Sequence, residues 1–280
     1  MNAENTEMKK LVVISDVHLG SAGSKATELN QYLRSIQTEY LILNGDIIDC
    51  WNFRPGYFPL SHFETISIIF DFIRRGTKVY YLTGNHDDVL RKFSRVDIDN
   101  FVLADEVSLE IDDKKFLFFH GDKFDFSVSD NQRKVAVFAS RTYEILLLLN
   151  NAIDKLAQKF LKKRVSLTGI VKRATKKLVC SAHDFEKQAL EYAIEGGYDY
   201  VVCGHIHLPQ HRMFKNEHGS VTYLNSGDWL ENMSALEYTF EGWKLIDFLN
   251  LNEEGKPVVQ APELSFHEEV ISADLQVKTA

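Results

Sequence analysis

Residues 10–18 have the sequence KLVVISDVH, in which a short apolar run ends on two polar residues, Asp16 and His18. A β-branched run of this length without a helical period predicts a buried β-strand. Two similar runs follow along the chain, at Tyr40–Leu43 and Lys78–Leu82. A helical pattern precedes each of them, so the three strands are predicted to be parallel and joined by right-handed crossovers.

The two helical patterns lie at Ala26–Gln37 and His62–Arg74, and Gly76 is suited to end the second helix. Further along, the sequence predicts a hairpin at Val107–Ile111 and Lys115–Phe119, a helix at Phe185–Ile194, a strand at Tyr200–Cys203, and an antiparallel finish at Arg212–Phe214, Val221–Asn225, Ala235–Phe240 and Lys244–Leu249. We expect one α/β domain over residues 8–250, with a helical insertion at 127–180 and a tail at 251–280.

A polar cluster follows each of five predicted strands. The clusters are Asp16-Val17-His18, Gly45-Asp46-Ile47-Ile48-Asp49, Gly84-Asn85-His86-Asp87, His120-Gly121-Asp122 and Gly204-His205-Ile206-His207. Open α/β sheets bind ligands at the carboxyl ends of their strands, so these clusters are predicted to converge in space. A lone DxH or HxH is usually a surface or capping pair, but a structural need does not explain five clusters in this order.

The side chains of these clusters offer carboxylate and amide oxygens and imidazole nitrogens, without a thiolate. Such a mixed set suits Mn²⁺, Fe²⁺, Zn²⁺ or Ni²⁺ better than Ca²⁺, which prefers oxygen alone, or a cysteine-rich structural zinc. We therefore expect divalent metal ions, with Mn²⁺ as the first candidate.

The order DxH, GDxxD, GNHD, HGD, GHxH resembles the calcineurin-like metallophosphoesterase superfamily from about Leu11 to Leu249. This resemblance implies a four-layer α/β/β/α sandwich of two mixed β-sheets with a helical insertion. It also implies two metal ions with the following ligands: Asp16, His18 and His207 for one, Asn85, His120 and His205 for the other, and Asp46 as a bridge.

In that superfamily the histidine of the GNH motif, here His86, faces the substrate phosphate instead of a metal. Two cations about 3.5–4 Å apart activate water and stabilise the attacking and leaving oxygens. His86 is then a candidate to donate a hydrogen bond or protonate the leaving group. Asp49 is a candidate to orient His86, and a plain turn or capping role is the alternative.

Further motifs resemble the branch of UDP-2,3-diacylglucosamine hydrolases of the lipid A pathway. They are GDIIDCW, HGDKFD, GHIHLP and the closing NSGDW at residues 225–229. In that family water attacks the α-phosphorus and releases UMP and an acylated sugar 1-phosphate. This chain has His86 where the better-defined enzymes have arginine. The alternatives are a generic phosphodiesterase or phosphomonoesterase and a non-catalytic scaffold on the same fold.

Substrate contacts are expected from residues near the metals and in the insertion. The candidates are Asn85, His86, Asp122, Asp125, Lys172, Arg173 and His205. Asp122 and Asp125 either order their loop or meet a sugar hydroxyl. The expected substrate is a nucleotide-linked or lipid-linked phosphate.

The net charge of −8 is distributed unevenly. Residues 131–180 hold twelve Lys or Arg residues against two acidic ones, so the rest of the chain is strongly acidic. A basic block of this kind suggests a phosphate or an anionic membrane surface, and it disfavours a wide grip on duplex nucleic acid. The alternative is a helical lid whose lysines are solvated.

Three separated cysteines predict a reducing compartment, and the apolar runs are too short to span a bilayer. We therefore expect a cytoplasmic protein, with peripheral contact at the cytoplasmic face of the inner membrane as a further option.

Overall fold

A computed structural model describes residues 8–52, 56–124, 185–251 and 257–260 of the chain. The predicted insertion at 127–180, with Lys172 and Arg173, lies outside the described residues, as do Asp125 and most of the predicted tail. None of the helices within the described ranges is long and apolar enough to cross a bilayer.

Within the described residues, thirteen strands form two mixed sheets. In chain order they are β1 (Met8–Ile14), β2 (Gln37–Asn44), β3 (Lys78–Leu82), β4 (Val96–Ile98), β5 (Phe101–Ala104), β6 (Glu106–Ile111), β7 (Lys114–Phe119), β8 (Tyr200–Cys203), β9 (Gln210–Asn216), β10 (Gly219–Asn225), β11 (Ser234–Thr239), β12 (Gly242–Leu251) and β13 (Pro257–Gln260). The larger sheet has the order β13-β12-β11-β1-β2-β3-β5-β4, and the smaller has the order β6-β7-β8-β10-β9.

The centre of the larger sheet is parallel, as the sequence predicts: β1 pairs with β2, β2 with β3 and β3 with β5. The prediction of an antiparallel finish is wrong in part. β9 with β10 and β11 with β12 are antiparallel, but β10 runs parallel to β8, and the four strands divide between the two sheets. Strand β13, from the predicted tail, pairs antiparallel with β12.

Two helices cover the outer face of the larger sheet. Helix α1 spans Ala26–Ser35, so it ends before the predicted Gln37, because Ile36 is already extended and leads directly into β2. Helix α2 spans Leu60–Arg74 and begins after Pro59, two residues earlier than predicted. Gly76 follows it with a φ of 92°, which confirms it as the left-handed residue that ends the helix. A third helix, α3, covers residues 185–195.

Three apolar cores separate the four layers. In β1, Val12 and Ile14 pack with α1 and α2, whereas Leu11 and Val13 face the smaller sheet. This alternation follows from the period of two along a strand. A third core, which includes Phe185, joins the smaller sheet to α3. The predicted four-layer sandwich of two mixed sheets is therefore confirmed, and it aligns the carboxyl ends of the parallel strands from both sheets.

Candidate metal centre

Backbone hydrogen bonds fasten the loop after β1 to the loop after β2. The Asp16 N–H donates to the Gly45 carbonyl at 3.0 Å, and the N–H groups of Val17 and His18 donate to the Asp46 carbonyl at 3.0 and 2.9 Å. The DxH and GDxxD clusters therefore lie side by side at one rim of the larger sheet.

The smaller sheet brings its own clusters to the same rim. The His205 N–H donates to Asp16 Oδ2 at 3.1 Å, and the Gly204 N–H donates to the His120 carbonyl at 3.0 Å. His120 Nδ1 in turn donates to the carbonyl of Asn44, at the end of β2, at 2.9 Å. The loops of the two sheets thus meet as one group.

Ligand atoms of five predicted metal residues, together with those of His86, gather in three overlapping groups, in each of which all atoms lie within 4.8 Å of one another. The groups are Asp16 with His18 and His207, Asp16 with Asp46 and His120, and His18 with Asp46 and His86. Asp46 occurs in two of the three, with its Oδ2 3.3 Å from His120 Nε2 and 3.9 Å from His18 Nε2. A bridging carboxylate requires such a central position.

Two other predicted ligands lie at the edge of these groups. The ring of His205 is 5.1 Å from the ring of His120, in an edge-to-face arrangement, but His205 belongs to none of the three groups among the described residues. Asn85 contributes a buried Oδ1. His120 and His205 therefore lie together with one imidazole each, and the Asn85 amide oxygen is the third ligand predicted for the second position.

Several of these atoms are buried without a hydrogen-bond partner within the described ranges. They are Asp16 Oδ1, His18 Nε2, Asn85 Oδ1 and His120 Nε2. A buried polar atom left unsatisfied costs about 1–3 kcal/mol, so native proteins rarely keep several together without a ligand. Each of the four is a metal-binding atom, and the set therefore fits two divalent cations.

Five of the predicted ligands have a left-handed backbone. Asp16, His18, Asp46, His205 and His207 have φ values between 52° and 69°. This conformation is uncommon outside glycine and costs about 1–3 kcal/mol per residue, so it concentrates at functional sites. The chain turns sharply at the ligands themselves, which directs carboxylates and imidazoles from the loops after β1, β2 and β8 to one point.

Two motif glycines are required because a ligand from another motif occupies the space of a side chain. A Cβ on Gly45, whose φ is +84°, would lie 2.3 Å from His120 Nδ1. A Cβ on Gly84 would lie 2.2 Å from Asp46 Oδ1 and 2.6 Å from the Asp46 backbone nitrogen. Gly45 and Gly84 therefore allow close approach between clusters that are distant in sequence.

Carboxylates outside the predicted metal set approach the Nδ1 atoms of two histidines. His18 Nδ1 lies 3.4 Å from Asp49 Oδ2, and His207 Nδ1 lies 3.6 Å from Asp228 Oδ2. Together with the bond from His120 to a carbonyl, this arrangement leaves Nε2 of each imidazole for a metal, which is how proteins usually orient histidine ligands.

His86 and Asp49 form a close pair. His86 Nδ1 lies 2.9 Å from Asp49 Oδ1, and both residues are buried. The His86 N–H donates to Asp46 Oδ1 at 2.7 Å, which ties the GNHD loop to the bridging carboxylate. With Nδ1 held by Asp49, Nε2 is the nitrogen that His86 can offer to a substrate.

Charges within the centre stabilise one another. Burial alone would raise the pKa of Asp16, but His207 and His120 outweigh it and lower the pKa to about 2. Burial likewise opposes protonation of His207, yet Asp16 raises its pKa to about 9. The pKa of Asp46 is lowered and that of His120 is raised by the same mutual attraction, against the effect of burial. Cations in the centre would take the place of these protons.

Asp122, a predicted substrate contact, is engaged within the protein. Its Oδ2 accepts a hydrogen bond from Arg91 Nη2 at 2.5 Å, and Arg91 Nε donates to Thr83 at 3.2 Å. The bond fixes the HGD loop against the residues around the GNHD cluster. Loop ordering is therefore the role that these contacts favour for Asp122.

Sequence reasoning missed two buried aspartates that support the centre. Asp87 accepts hydrogen bonds from the Gly84 N–H at 2.6 Å, the Ile47 N–H at 2.9 Å and the Tyr81 hydroxyl at 2.7 Å. Burial and the nearby Asp46 raise its pKa. Asp228 belongs to the NSGDW motif, whose resemblance to the hydrolase branch does not assign it a role. Asp87 directly follows His86 in its cluster, and Asp228 lies in a motif outside the five clusters, so neither position by itself predicts these contacts.

Proteins of similar sequence include two enzymes named UDP-2,3-diacylglucosamine hydrolase. The enzyme of Aliivibrio fischeri strain MJ11 is 24% identical over 238 residues, which are 82% of this chain and 94% of the relative. The enzyme of Photorhabdus laumondii is 27% identical over 245 residues, which are 84% of this chain and 97% of the relative.

Solved structures of similar shape are more distant in sequence. Vacuolar protein sorting 29 from Cryptosporidium parvum has a TM-score of 0.44 and 13% identity, and the match covers 91% of this chain and 97% of that one. An archaeal phosphodiesterase has a TM-score of 0.39 and 17% identity, with 89% of this chain and 99% of that one covered.

The family model of calcineurin-like phosphoesterases matches residues 9–209, which include all five polar clusters. The matched range is well over half of the chain, and the grouped ligand atoms supply the metal chemistry that such enzymes need. The chain therefore belongs to the calcineurin-like phosphoesterase family and is a metal-dependent phosphoester hydrolase with a dinuclear site for divalent cations.

Proposed function

We propose that this enzyme hydrolyses UDP-2,3-diacylglucosamine with two Mn²⁺ ions and releases UMP and 2,3-diacylglucosamine 1-phosphate. The relatives that carry this activity in their names span more than four fifths of the chain and nearly all of their own length. Mn²⁺ suits a mixed set of carboxylate, amide and imidazole ligands, and Fe²⁺, Zn²⁺ and Ni²⁺ are the alternatives.

The proposed ligands are Asp16, His18 and His207 for one ion, Asn85, His120 and His205 for the other, and Asp46 between them. The observation that carries this assignment is the set of buried ligand atoms without a partner in the described part of the chain. When bound, the cations would activate a water molecule and offset the negative charge of the phosphate groups.

The protein's own groups would complete the reaction. Asp46 lies at the centre of the ligand groups and would set the separation of the ions. His86, with Nδ1 held by Asp49, would offer Nε2–H to a phosphate oxygen and protonate the leaving oxygen. By accepting a hydrogen bond from Nδ1–H, the Asp49 carboxylate would stabilise the imidazolium form, which also carries Nε2–H, and would fix the orientation of the ring.

The further substrate contacts, the role of the insertion and the membrane contact are proposed from the sequence. Asn85 and His205 would also contact the phosphate, and Asp125, Lys172 and Arg173 would contribute further contacts, with Asp122 ordering its loop. The insertion at 127–180 would cover the mouth of the site within a domain of residues 8–250. Its basic residues would contact an anionic membrane surface at the cytoplasmic face of the inner membrane.

The test is mass spectrometry of the products after Mn²⁺-loaded enzyme meets UDP-2,3-diacylglucosamine in detergent. We expect UMP and the acylated sugar phosphate, because water attacks the α-phosphorus. The variant Asp46→Asn should abolish turnover, since the site loses its central carboxylate. The matched control Asp113→Asn changes an exposed turn residue whose φ of 60° asparagine tolerates well, and it should retain full activity.

Two outcomes would contradict the proposal. Turnover of simple diesters without turnover of the UDP-sugar would replace it with a generic phosphodiesterase. Full activity of a folded Asp46→Asn variant after metal removal would refute the two-metal assignment itself.

A further inference from the structure

We propose that Trp51 is a positioning residue, whose indole holds the imidazole of His86 in the plane needed to protonate the leaving group. The proposal rests on the function proposed above for His86. Trp51 lies two residues beyond Asp49, in the partly buried segment that follows the GDxxD cluster.

Aromatic rings enclose His86 on two sides. The indole of Trp51 stacks on the imidazole with 4.4 Å between ring centroids and 29° between planes. The ring of His18 meets the imidazole edge-on, with 4.5 Å between centroids and 86° between planes. His86 therefore cannot tilt about its Cβ without losing contact with Trp51 or colliding with a predicted metal ligand.

The backbone around Trp51 is fixed to the same aspartate that holds His86. The N–H groups of Trp51 and Asn52 donate to Asp49 Oδ1 at 3.1 and 2.8 Å. The Asn52 side chain donates to Asp49 Oδ2 at 2.9 Å, and the Cys50 N–H donates to the His86 carbonyl at 3.0 Å. Asp49 thus sets the position of the indole and of the imidazole together, so that the stack is built into the fold.

The physical reason for a tryptophan here is the charge that His86 carries when it holds the proton to be transferred. The face of an indole is negative and attracts a cation more strongly than the face of any other side chain. Stacking also keeps water from one face of the imidazole. The hydrogen bond to Asp49 controls rotation of the ring in its plane, and Trp51 controls its tilt.

The first test compares Trp51→Leu with Trp51→Phe on two uridine 5′-phosphodiesters, the 4-nitrophenyl and the phenyl ester. The nitrophenolate leaves without a proton, whereas phenolate needs one. We expect Trp51→Leu to lower kcat for the phenyl ester about tenfold, the rate equivalent of an ordinary cation–π contact. For the nitrophenyl ester, kcat of Trp51→Leu should fall by less than half that factor. KM and Mn²⁺ affinity should not change. Trp51→Phe should keep most of the activity that Trp51→Leu loses.

The second test is a double-mutant cycle with His86→Ala. If Trp51 acts through His86, Trp51→Leu causes no further loss in that background. The matched control is Tyr57→Leu, an exposed aromatic residue six positions further along the sequence, which should leave turnover of both esters unaffected. Equal losses on both esters, or losses that multiply with His86→Ala, would overturn the proposal.

A third measurement does not depend on turnover. In metal-free protein the ring protons of His86 should show an upfield ring-current shift in NMR spectra, which Trp51→Leu removes and Tyr57→Leu preserves. Absence of that shift in a folded protein would also overturn the proposal. If the enzyme does not turn over UDP-2,3-diacylglucosamine but Trp51→Leu shows the expected difference between the two uridine esters, only the proposed substrate is rejected.

Discussion

At the scale of single residues, the centre depends on carboxylates that accept hydrogen bonds from backbone N–H groups in addition to their predicted role as metal ligands. Asp46 accepts the His86 N–H, and Asp16 accepts the His205 N–H, in addition to their predicted metal contacts. Asp87 has no predicted metal contact, yet its three donors come from the loops that follow β2 and β3 and from Tyr81 within β3. It therefore joins the loop of Asp46 to the loop of Asn85.

Asp87→Asn is expected to weaken both the fold and the metal site. The amide would present its own N–H groups to donors, so that at least one buried donor loses its acceptor, at a cost of about 1–3 kcal/mol. Urea unfolding of metal-free protein should show that loss. Calorimetry should show weaker Mn²⁺ binding at the second position, because Asn85 lies on the loop that Asp87 anchors.

The control for that experiment is Asp97→Asn, an exposed aspartate in β4. It should leave both quantities unchanged. Unaltered Mn²⁺ affinity in Asp87→Asn, together with a lower free energy of unfolding, would limit Asp87 to a role in stability.

Single residues also show which features of the site the sequence patterns predict and which they do not. The motif spacing predicted which side chains gather, because glycine, carboxylate and imidazole residues followed each apolar run. It did not predict the left-handed backbone of His18 or His207, since those φ values depend on bonds to other loops. Asp87 and Asp228 were missed for a similar reason, as most of their hydrogen-bond donors are backbone N–H groups that a sequence does not identify.

At the scale of elements, the apolar runs that alternate with helical patterns were predictable as strands, and the two short strands at the edge of the larger sheet were not. β1, β2 and β3 were found from short apolar runs whose residues are buried on both faces of the sheet. β4 and β5 were missed, because β4 has only three residues and includes Asp97, and the four apolar residues of β5 follow it without an intervening helical pattern. The parallel pairing of β8 with β10 was also missed, because no local pattern distinguishes it from a hairpin.

The turn between β10 and β11 supports the centre through Asp228. Its Oδ1 accepts the N–H groups of Leu230, Glu231 and Asn232 at 2.8, 2.6 and 3.1 Å. Asn232 Nδ2 donates to the carbonyl of His207 at 2.8 Å and to Asp228 Oδ2 at 2.5 Å. The turn thus binds the backbone of the GHxH loop at His207, and Asp228 also lies close to the His207 ring.

Asp228→Ala should therefore lower Mn²⁺ affinity about 10–100-fold, as loss of a carboxylate behind a histidine ligand commonly does. Titration with Mn²⁺ by calorimetry or paramagnetic resonance would measure the change. Asp228→Asn keeps an oxygen for the three N–H groups and should preserve the turn while reducing affinity less. Equal affinity of Asp228→Ala and the unaltered protein would show that the turn does not act on the metal site.

At the scale of the whole molecule, the metal centre lies where the two sheets meet and receives side chains from both. β1, β2 and β3 bring Asp16, Asp46 and Asn85, and β7 and β8 bring His120 and His205. The middle core of the sandwich holds the sheets together below the rim, with Leu11 and Phe116 among its fully buried residues. Cations at the rim would add a second attachment between the sheets, so metal binding and stability of the sandwich are expected to be coupled.

Removal of divalent cations with a chelator should lower the melting temperature, and Mn²⁺ should restore it in a concentration-dependent way. An ion that binds only the folded state stabilises it by about 2.7 kcal/mol at a hundredfold excess over its dissociation constant. The double variant Asp46→Asn with His120→Ala lacks the central carboxylate and an imidazole from the other sheet, so Mn²⁺ should shift its melting temperature far less. Mg²⁺ provides the ionic control, since imidazole ligands suit it poorly. If Mn²⁺ raised the melting temperature of the double variant equally, the stabilising ion would bind elsewhere. The attachment between the two sheets would then come from the apolar core alone.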